Sequence, residues 1–152
     1  KKMKTVVISA FPGTGKSYCY QNPGELTILD SDSSQLDKSH FPENYIKHIK
    51  DNLGKVDVIF VGSHREVRNA LVENGIPFVL VYPHIYEKRA YMERYKKRGN
   101  SKEFIETIKK NWSTWIFQCA NQAGCMKVCL INEQYISDHL HSIIKRARND
   151  SK

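Results

Sequence analysis

The residues with the clearest chemical potential lie at positions 10–17, where two glycines precede a lysine and a serine. Gly13 and Gly15 can turn successive backbone N–H groups toward one point, where they bind the oxygens of a phosphate group. Lys16 adds a positive charge beside that point, and the hydroxyl of Ser17 is a suitable ligand for Mg²⁺. An apolar run precedes the segment and a short helical pattern follows it, so a helix N-terminus also faces the anion. This spacing predicts a site for a nucleoside triphosphate.

The segment departs from the strict pattern G-x-x-x-x-G-K-[ST] at one position, because Ala10 stands where the first glycine is expected. The alternative, a glycine turn that carries Lys and Ser without function, is disfavoured by the predicted strand before it and helix after it. We therefore predict that the donor nucleotide contacts the loop and the first turn of the helix: Pro12, Gly13, Thr14, Gly15, Lys16, Ser17 and Tyr18.

Two carboxylates follow the second predicted strand, in the stretch LTILDSDSSQ. Asp30 and Asp32 point to the same side of an extended chain because side chains alternate along a strand. The carboxyl end of a parallel strand beside a phosphate loop faces the ligand crevice. Like charges at this separation repel unless a cation or a proton intervenes, and a Mg²⁺-nucleotide supplies the cation. The alternative interpretation is a turn rich in Asp and Ser.

A strongly basic segment, EKRAYMERYKKRGNS, follows the fourth predicted strand. Arg94 and Arg98 lie four residues apart on one helical face, and Arg89 precedes them by just over one turn. Arginine suits a transferred phosphoryl group because its planar fork binds phosphate oxygens bidentately. Arg94 and Arg98 are therefore the catalytic candidates, with Arg89 behind them. The alternative is a solvated basic helix in which Glu87 and Glu93 form intrahelical pairs.

Apolar strands alternate with helical patterns along the whole chain. Five segments are typical of strands: KTVVISA, ELTILDSDS, VDVIFVGS, PFVLVYP and MKVCLIN. Strands separated by helices indicate a parallel sheet covered on both faces, a three-layer α/β domain. Ser63 and Glu66 fit a capping box at the start of one helix, and Ser101 is placed to cap another. No repeat or long linker divides the chain, so residues 1–152 are expected to form one domain.

The loop at 10–17, the short helix after it and the ILDSD stretch together resemble the P-loop kinase superfamily of small phosphotransferases. This group includes nucleoside monophosphate kinases, shikimate and gluconate kinases and polynucleotide 5′-hydroxyl kinases. The chain also resembles small nucleotide-kinase-like proteins encoded by bacteriophages. The resemblance implies a P-loop NTPase fold with strand order 2-3-1-4-5, the use of ATP and Mg²⁺, and a helical lid segment over about residues 85–100. Arginines of that lid would close over the transferred phosphoryl group.

The same resemblance assigns roles to the acidic pair. In shikimate-kinase-like members the first Asp of Asp-x-Asp supports Mg²⁺ and the second binds the acceptor hydroxyl, which gives Asp30 and Asp32 these roles. The third strand lacks the usual terminal acid of a Walker B motif, and Asp57 lies at its opposite end. Metal binding is then expected from Ser17 and Asp30, and a contribution from Ser63 stays open.

The expected function is an ATP-dependent kinase that acts on a nucleoside or nucleotide. A net charge of +8 favours an anionic partner, so a hydroxyl on polynucleotide (a modified base or a 5′ end) is an alternative acceptor. A nucleotide-binding regulator with slow ATPase activity is the alternative from another class. No apolar run approaches the roughly 20 residues that span a bilayer, so no membrane association and a cytoplasmic location (the host's, if phage-encoded) are expected. The four cysteines have no metal-ligand spacing and are expected to be free thiols.

Overall fold

The computed structural model describes residues 4–31 and 38–150. Strands and helices alternate in the order β1 (Val6–Ala10), α1 (Lys16–Gln21), β2 (Ile28–Asp30), α2 (Glu43–Asn52), β3 (Val58–Gly62), α3 (Arg65–Glu73), β4 (Phe78–Pro83), α4 (Lys88–Lys97), α5 (Lys102–Ala120), β5 (Met126–Leu130) and α6 (Leu140–Asp150).

The five strands form one parallel sheet in the order β2-β3-β1-β4-β5. β1 is central, and its Ile8 lies in register with Phe60 of β3 on one side and Val79 of β4 on the other. The order of the strands reverses at β1, and ligands of open α/β sheets bind at such a reversal, beyond the carboxyl ends of the strands. The predicted strand order is confirmed, and residues 11–15 leave β1 at this point.

Both faces of the sheet are covered, which confirms the predicted three layers. Alternate residues of β1 point to opposite faces, so Val7 packs in one core cluster while Val6 and Ile8 pack in the other. The cluster around Val7 is completed by side chains from α2, α3, α4 and α5, and the cluster around Ile8 by side chains from α1 and α6. Burying a side chain such as Ile8 stabilises the fold by about 1.5–3 kcal/mol.

α2 was not predicted from the sequence. This helix buries Tyr45, Ile46 and Ile49, a spacing of one, three and four that could have indicated an amphipathic helix. The Tyr45 hydroxyl donates a hydrogen bond of 3.0 Å to the carbonyl oxygen of Ser31, and the Ser31 hydroxyl lies 3.0 Å from Nε2 of His48. α2 therefore supports the carboxyl end of β2, where the acidic pair begins.

The predicted capping box at Ser63 is wrong. α3 begins at Arg65, its N-cap is His64, and no side chain caps it. The carbonyl of Ser63 instead accepts a 2.9 Å hydrogen bond from Nε of the buried Arg68, so the contact found at this helix start comes from within α3 and not from a capping side chain. The cap at Ser101 is confirmed, because its hydroxyl accepts a 3.1 Å hydrogen bond from the N–H of Phe104.

Asp57 lies at the amino end of β3, away from the carboxyl edge of the sheet. Its carboxylate accepts hydrogen bonds of 2.9 Å from the N–H of Thr27 and from the guanidinium of Arg148. These two donors, Thr27 first, hold the pKa of Asp57 below its usual value. In the described part of the chain, no helix is long and apolar enough to cross a bilayer, and no cluster of three potential metal ligands occurs.

Candidate functional site

The loop between β1 and α1 is held by its carbonyl groups. Four successive carbonyl oxygens each accept a hydrogen bond: Phe11 O from Thr14 Oγ1 (2.7 Å), Pro12 O from the Tyr95 hydroxyl (2.7 Å), Gly13 O from Arg94 Nη1 (2.8 Å) and Thr14 O from the Ile136 N–H (2.9 Å). By contrast, the N–H groups of Gly13 and Gly15 donate no hydrogen bond to another described residue. The N–H groups of Lys16 and Ser17 belong to the first turn of α1, which has no intrahelical acceptors for them. Free N–H groups in such a loop bind phosphate oxygens.

Two positions of the loop require glycine. Gly13 and Gly15 have φ of 88° and 94°, in the left-handed region that other residues rarely adopt. A Cβ atom at Gly13 would lie 2.9 Å from Cε1 of Tyr95, and one at Gly15 would lie 2.9 Å from Cδ1 of Tyr135. Ala10 needs no such freedom, because it is still a regular residue of β1 and lies in register with Gly62. The departure from the strict motif is therefore compatible with the loop.

Three other residues predicted to contact the nucleotide differ in exposure: Thr14 is buried, whereas Ser17 and Tyr18 are exposed. Thr14 is only 1% exposed; its hydroxyl and its N–H both donate to the carbonyl of Phe11, and its own carbonyl accepts from Ile136, so Thr14 holds the shape of the loop. Tyr18 is 59% exposed at the rim of the cleft. Ser17 is exposed and lines the same cleft.

Lys16 and Asp30 lie close together at the carboxyl edge of the sheet. Nζ of Lys16 lies 3.3 Å from Oδ1 of Asp30, and the two side chains are 35% and 25% exposed. That carboxylate oxygen is itself buried, yet it accepts no well-directed hydrogen bond from a described residue. A carboxylate at the cleft with spare acceptor capacity suits a cation or a bound hydroxyl. Asp32 lies outside the described residues, and its role stays a prediction.

Arg94 and Arg98, which the sequence did not distinguish, have different surroundings in the structure. The Arg94 guanidinium donates to the carbonyls of Gly13 (2.8 Å) and Glu133 (2.7 Å). It also lies between two rings, 4.2 Å from the centre of Tyr91 and 3.9 Å from that of Tyr135.

Arg98 is exposed at the same cleft, 6.0 Å from the ring centre of Tyr95. Arg89 is also exposed there. Neither of these two side chains forms an ion pair with a described carboxylate. Arg94 is committed to the loop, whereas Arg98 and Arg89 are available to a ligand.

An open cleft of about 1220 Å³ runs from the phosphate loop to α3, α4 and α5. Its cationic side chains outnumber its acidic ones: Lys16, Arg65, Arg68, Arg89, Arg94, Lys97 and Arg98 against Glu87, Glu93 and Glu133. Aromatic side chains of Tyr86, Phe104 and Trp115 form part of the wall. Trp112 is buried and its indole N–H donates to the carbonyl of Ile85 (2.8 Å), whereas Trp115 packs on the core and also lines the cleft.

Several residues of the site were missed. Burial raises the pKa of Tyr91 to about 12 and raises that of Tyr95 further, so both are neutral phenols, and Tyr95 donates to the loop. Their four-residue spacing in a basic helix was a usable signal for a face turned toward the loop. Tyr135 and Arg68 carried no such local signal, because their partners lie far away in the chain.

No family model matches the chain. No curated protein sequence matches it. Among solved structures, it is similar to the crystal structure of a gluconokinase from Sinorhizobium meliloti 1021, with 14% identity and a TM-score of 0.58, over 98% of this chain and 94% of that chain. A likeness at this identity concerns the fold: the chain has the α/β fold of that structure, and in this chain the glycine loop follows the central strand of the five-stranded parallel sheet.

Proposed function

We propose that the protein is an ATP-dependent kinase that transfers the γ-phosphoryl group of ATP to a hydroxyl of a nucleoside or nucleotide. The observation that carries this proposal is the loop whose four carbonyls are held by other groups while the N–H groups of Gly13 and Gly15 stay free. A side chain at either glycine would clash with Tyr95 or Tyr135, so this conformation of the loop depends on both glycines. The name of the similar structure, a gluconokinase, supports the same class of reaction.

Each residue of the donor side has a definite task in this proposal. The free N–H groups of the loop orient the phosphates, and Lys16 moves from its ion pair with Asp30 to neutralise phosphate charge. Ser17 and Asp30 hold Mg²⁺, which supplies further neutralisation of the phosphate oxygens when it is bound. Catalysis by positioning and electrostatics needs no covalent intermediate on the protein.

The acceptor side combines one residue outside the described part with the lid segment (residues 85–100). By resemblance, Asp32 orients the acceptor hydroxyl and accepts its proton. Arg98 closes over the transferred phosphoryl group, because its guanidinium has no ion-pair partner among the described residues. Arg94 holds the loop in place through its hydrogen bond to the carbonyl of Gly13.

A hydroxyl on polynucleotide is the second candidate acceptor. The excess of cationic side chains along the cleft and the net charge of +8 favour it. Binding to such an acceptor would weaken steeply with salt, since each neutralised phosphate releases counterions. A sugar acid is also included in the test, because the similar structure is named a gluconokinase.

The test is a transfer assay with γ-labelled ATP and a panel of nucleosides, nucleoside monophosphates, gluconate and short oligonucleotides. We expect label on one class of acceptor. Lys16→Ala should abolish transfer without lowering the unfolding temperature, whereas the surface control Lys145→Ala should leave both unchanged. Full activity of Lys16→Ala would contradict the proposal. Slow ATP hydrolysis with no labelled acceptor would instead favour a regulator.

A further inference from the structure

Trp115, in the second half of α5, is only partly taken up by the core. It packs against the core cluster that contains Trp112, and it is partly exposed where it lines the cleft. The indole N–H of Trp112 donates to the carbonyl of Ile85 (2.8 Å), whereas that of Trp115 donates no hydrogen bond to a described residue. Because a tryptophan combines a large apolar face with one polar donor, this side chain offers both to a molecule in the cleft.

Gln118 lies three residues further along α5, so its side chain is a neighbour of Trp115 on the helix surface. It also lines the cleft and is partly exposed, and its side-chain amide forms no hydrogen bond within the described part of the chain. The amide of Gln122, just beyond the end of α5, is by contrast committed to Arg68 (2.7 Å) and to the carbonyl of Ala123 (3.0 Å). A free carboxamide presents one acceptor and two donor hydrogens side by side. The wall of the cleft thus carries an aromatic ring beside an uncommitted amide.

This part of α5 is fixed relative to α3 and to the phosphate loop. The buried guanidinium of Arg68, in α3, donates to the carbonyls of Ser63 (2.9 Å) and Gln118 (3.5 Å), so it joins the segment before α3 to the end of α5. Phe11, the residue after β1, packs edge-on against Trp112, with ring centres 5.7 Å apart. Recognition is more precise on such rigid elements than on mobile loops. A ligand held at this wall therefore lies at a defined place beside the loop.

We propose that Trp115 and Gln118 recognise the base of the acceptor: the indole stacks on a planar heteroaromatic ring, and the carboxamide hydrogen-bonds to the edge of that ring. Every nucleobase has a π face that stacks on an aromatic side chain, and its edge carries donors and acceptors that an amide can match. A sugar acid has no such ring. The two residues therefore determine the specificity for a nucleoside or nucleotide, and Gln118 distinguishes among the bases. This inference rests on the proposed function, because it assigns the ring to the phosphate acceptor.

Matched ligands test the need for a ring without any mutation. The nucleoside 5′-monophosphates of the common bases are compared with ribose 5-phosphate, which lacks the base. Binding is measured by calorimetry and by tryptophan fluorescence, with the donor site saturated by ADP and Mg²⁺. We expect at least one nucleotide to bind about tenfold or more tightly than ribose 5-phosphate, as for a stacked base, and to quench the fluorescence. Equal binding of all these ligands, or no binding of any, would overturn the inference.

Variants assign the preference to the two side chains. Trp115→Leu should reduce the preference for the nucleotide to about onefold, whereas Trp115→Phe should retain part of it, because a phenyl ring still stacks, and should lose the quenching. Gln118→Leu should weaken binding of the preferred base severalfold and reduce the discrimination among bases. Phe117→Leu is the control and should change neither property, because Phe117 is 67% exposed on the same helix and is not among the residues that line the cleft.

An unchanged preference in a folded Trp115→Leu protein contradicts the inference. If that variant does not fold, quenching that persists in Trp115→Phe, or unchanged discrimination among bases in Gln118→Leu, contradicts it instead. The inference and the proposed kinase can fail separately when transfer from γ-labelled ATP is measured beside binding. Base binding that depends on Trp115 without transfer to any acceptor would contradict the kinase and leave the recognition of the base standing. Transfer to gluconate that is unaffected by Trp115→Leu, without transfer to a nucleotide, would do the reverse.

Discussion

The guanidinium of Arg94, in α4, donates a hydrogen bond of 2.8 Å to the carbonyl oxygen of Gly13, in the phosphate loop. A second bond of 2.7 Å joins the same side chain to the carbonyl of Glu133, after β5. One residue of α4 thus connects the loop to the segment that follows the last strand. The loop conformation depends on a contact that spans the site, and Arg94 and Arg98 should contribute to activity in different ways.

The first prediction compares Arg94→Met with Arg98→Met. Loss of the Arg94 guanidinium frees the carbonyl of Gly13, so we expect a lower unfolding temperature and ATP binding weakened about tenfold or more. Arg98→Met should bind ATP normally and lose about 10²–10³-fold in kcat, as for the removal of a group that stabilises developing charge. Nucleotide-dependent thermal stabilisation and steady-state kinetics measure the two effects. If both variants lost ATP binding and kcat to the same extent, the proposed difference in role between Arg94 and Arg98 would be contradicted.

The second prediction concerns Gly15→Ala. The added Cβ would lie 2.9 Å from Cδ1 of Tyr135 at a φ of 94°, so the variant should be destabilised by about 1–3 kcal/mol and bind ATP poorly. Tyr135→Ala in the same chain removes the 2.9 Å contact but leaves the contact of 3.3 Å to Cβ of residue 135 and the backbone strain. A double-mutant cycle by urea unfolding should therefore show partial recovery. A Gly15→Ala protein as stable as the parent would refute the geometry of the loop.

The third prediction separates the two members of the acidic pair. Asp30→Asn should raise the Mg²⁺ concentration for half-maximal activity and should release Lys16 from its 3.3 Å ion pair. Asp32→Asn should leave nucleotide binding intact and slow transfer by roughly 10²–10⁴-fold, as for the loss of a general base. A Mg²⁺ titration of the activity of both variants and of the parent protein distinguishes the metal role of Asp30 from the acceptor role of Asp32. Unchanged transfer by Asp32→Asn would place the acceptor site elsewhere.

The fourth prediction uses the lowered pKa of Asp57. A carboxyl group whose pKa is depressed by folding stabilises the protein above its unfolded pKa of about 3.9, and this contribution is lost as the pH falls through the folded value. Asp57→Asn should therefore cost about 1–3 kcal/mol at pH 7 and progressively less below pH 4. Urea unfolding from pH 7 to pH 3 measures the gap between variant and parent. Activity at pH 7 should be unchanged in the folded variant, because Asp57 lies at the amino end of the sheet; reduced turnover would contradict its assignment outside the site.

Local sequence was sufficient for the loop and for the sheet. The glycines at 13 and 15, with Lys16 and Ser17, act within one turn of chain, so their spacing alone indicates a phosphate site. Period and composition likewise identified the five strands. Their order was expected from a resemblance rather than from spacing, and the structure confirms it. α2 was overlooked although its spacing was present, because short apolar pairs are ambiguous beside a polar turn.

Only the packed structure distinguishes the arginines and places the buried cation. Arg94 and Gly13 are 81 residues apart, and Arg68 and Gln122 are 54 apart. Such contacts exist because helices pack on the sheet at a particular distance and rotation, which the periodicity of a single segment does not encode. The capping box at Ser63 failed for the same reason: the Ser63 carbonyl accepts a hydrogen bond from the buried guanidinium of Arg68, which is also bonded to Gln122 beyond the end of α5. When both a local and a distant hydrogen-bond partner are possible for a side chain, the packing of the helices on the sheet determines which of the two bonds forms.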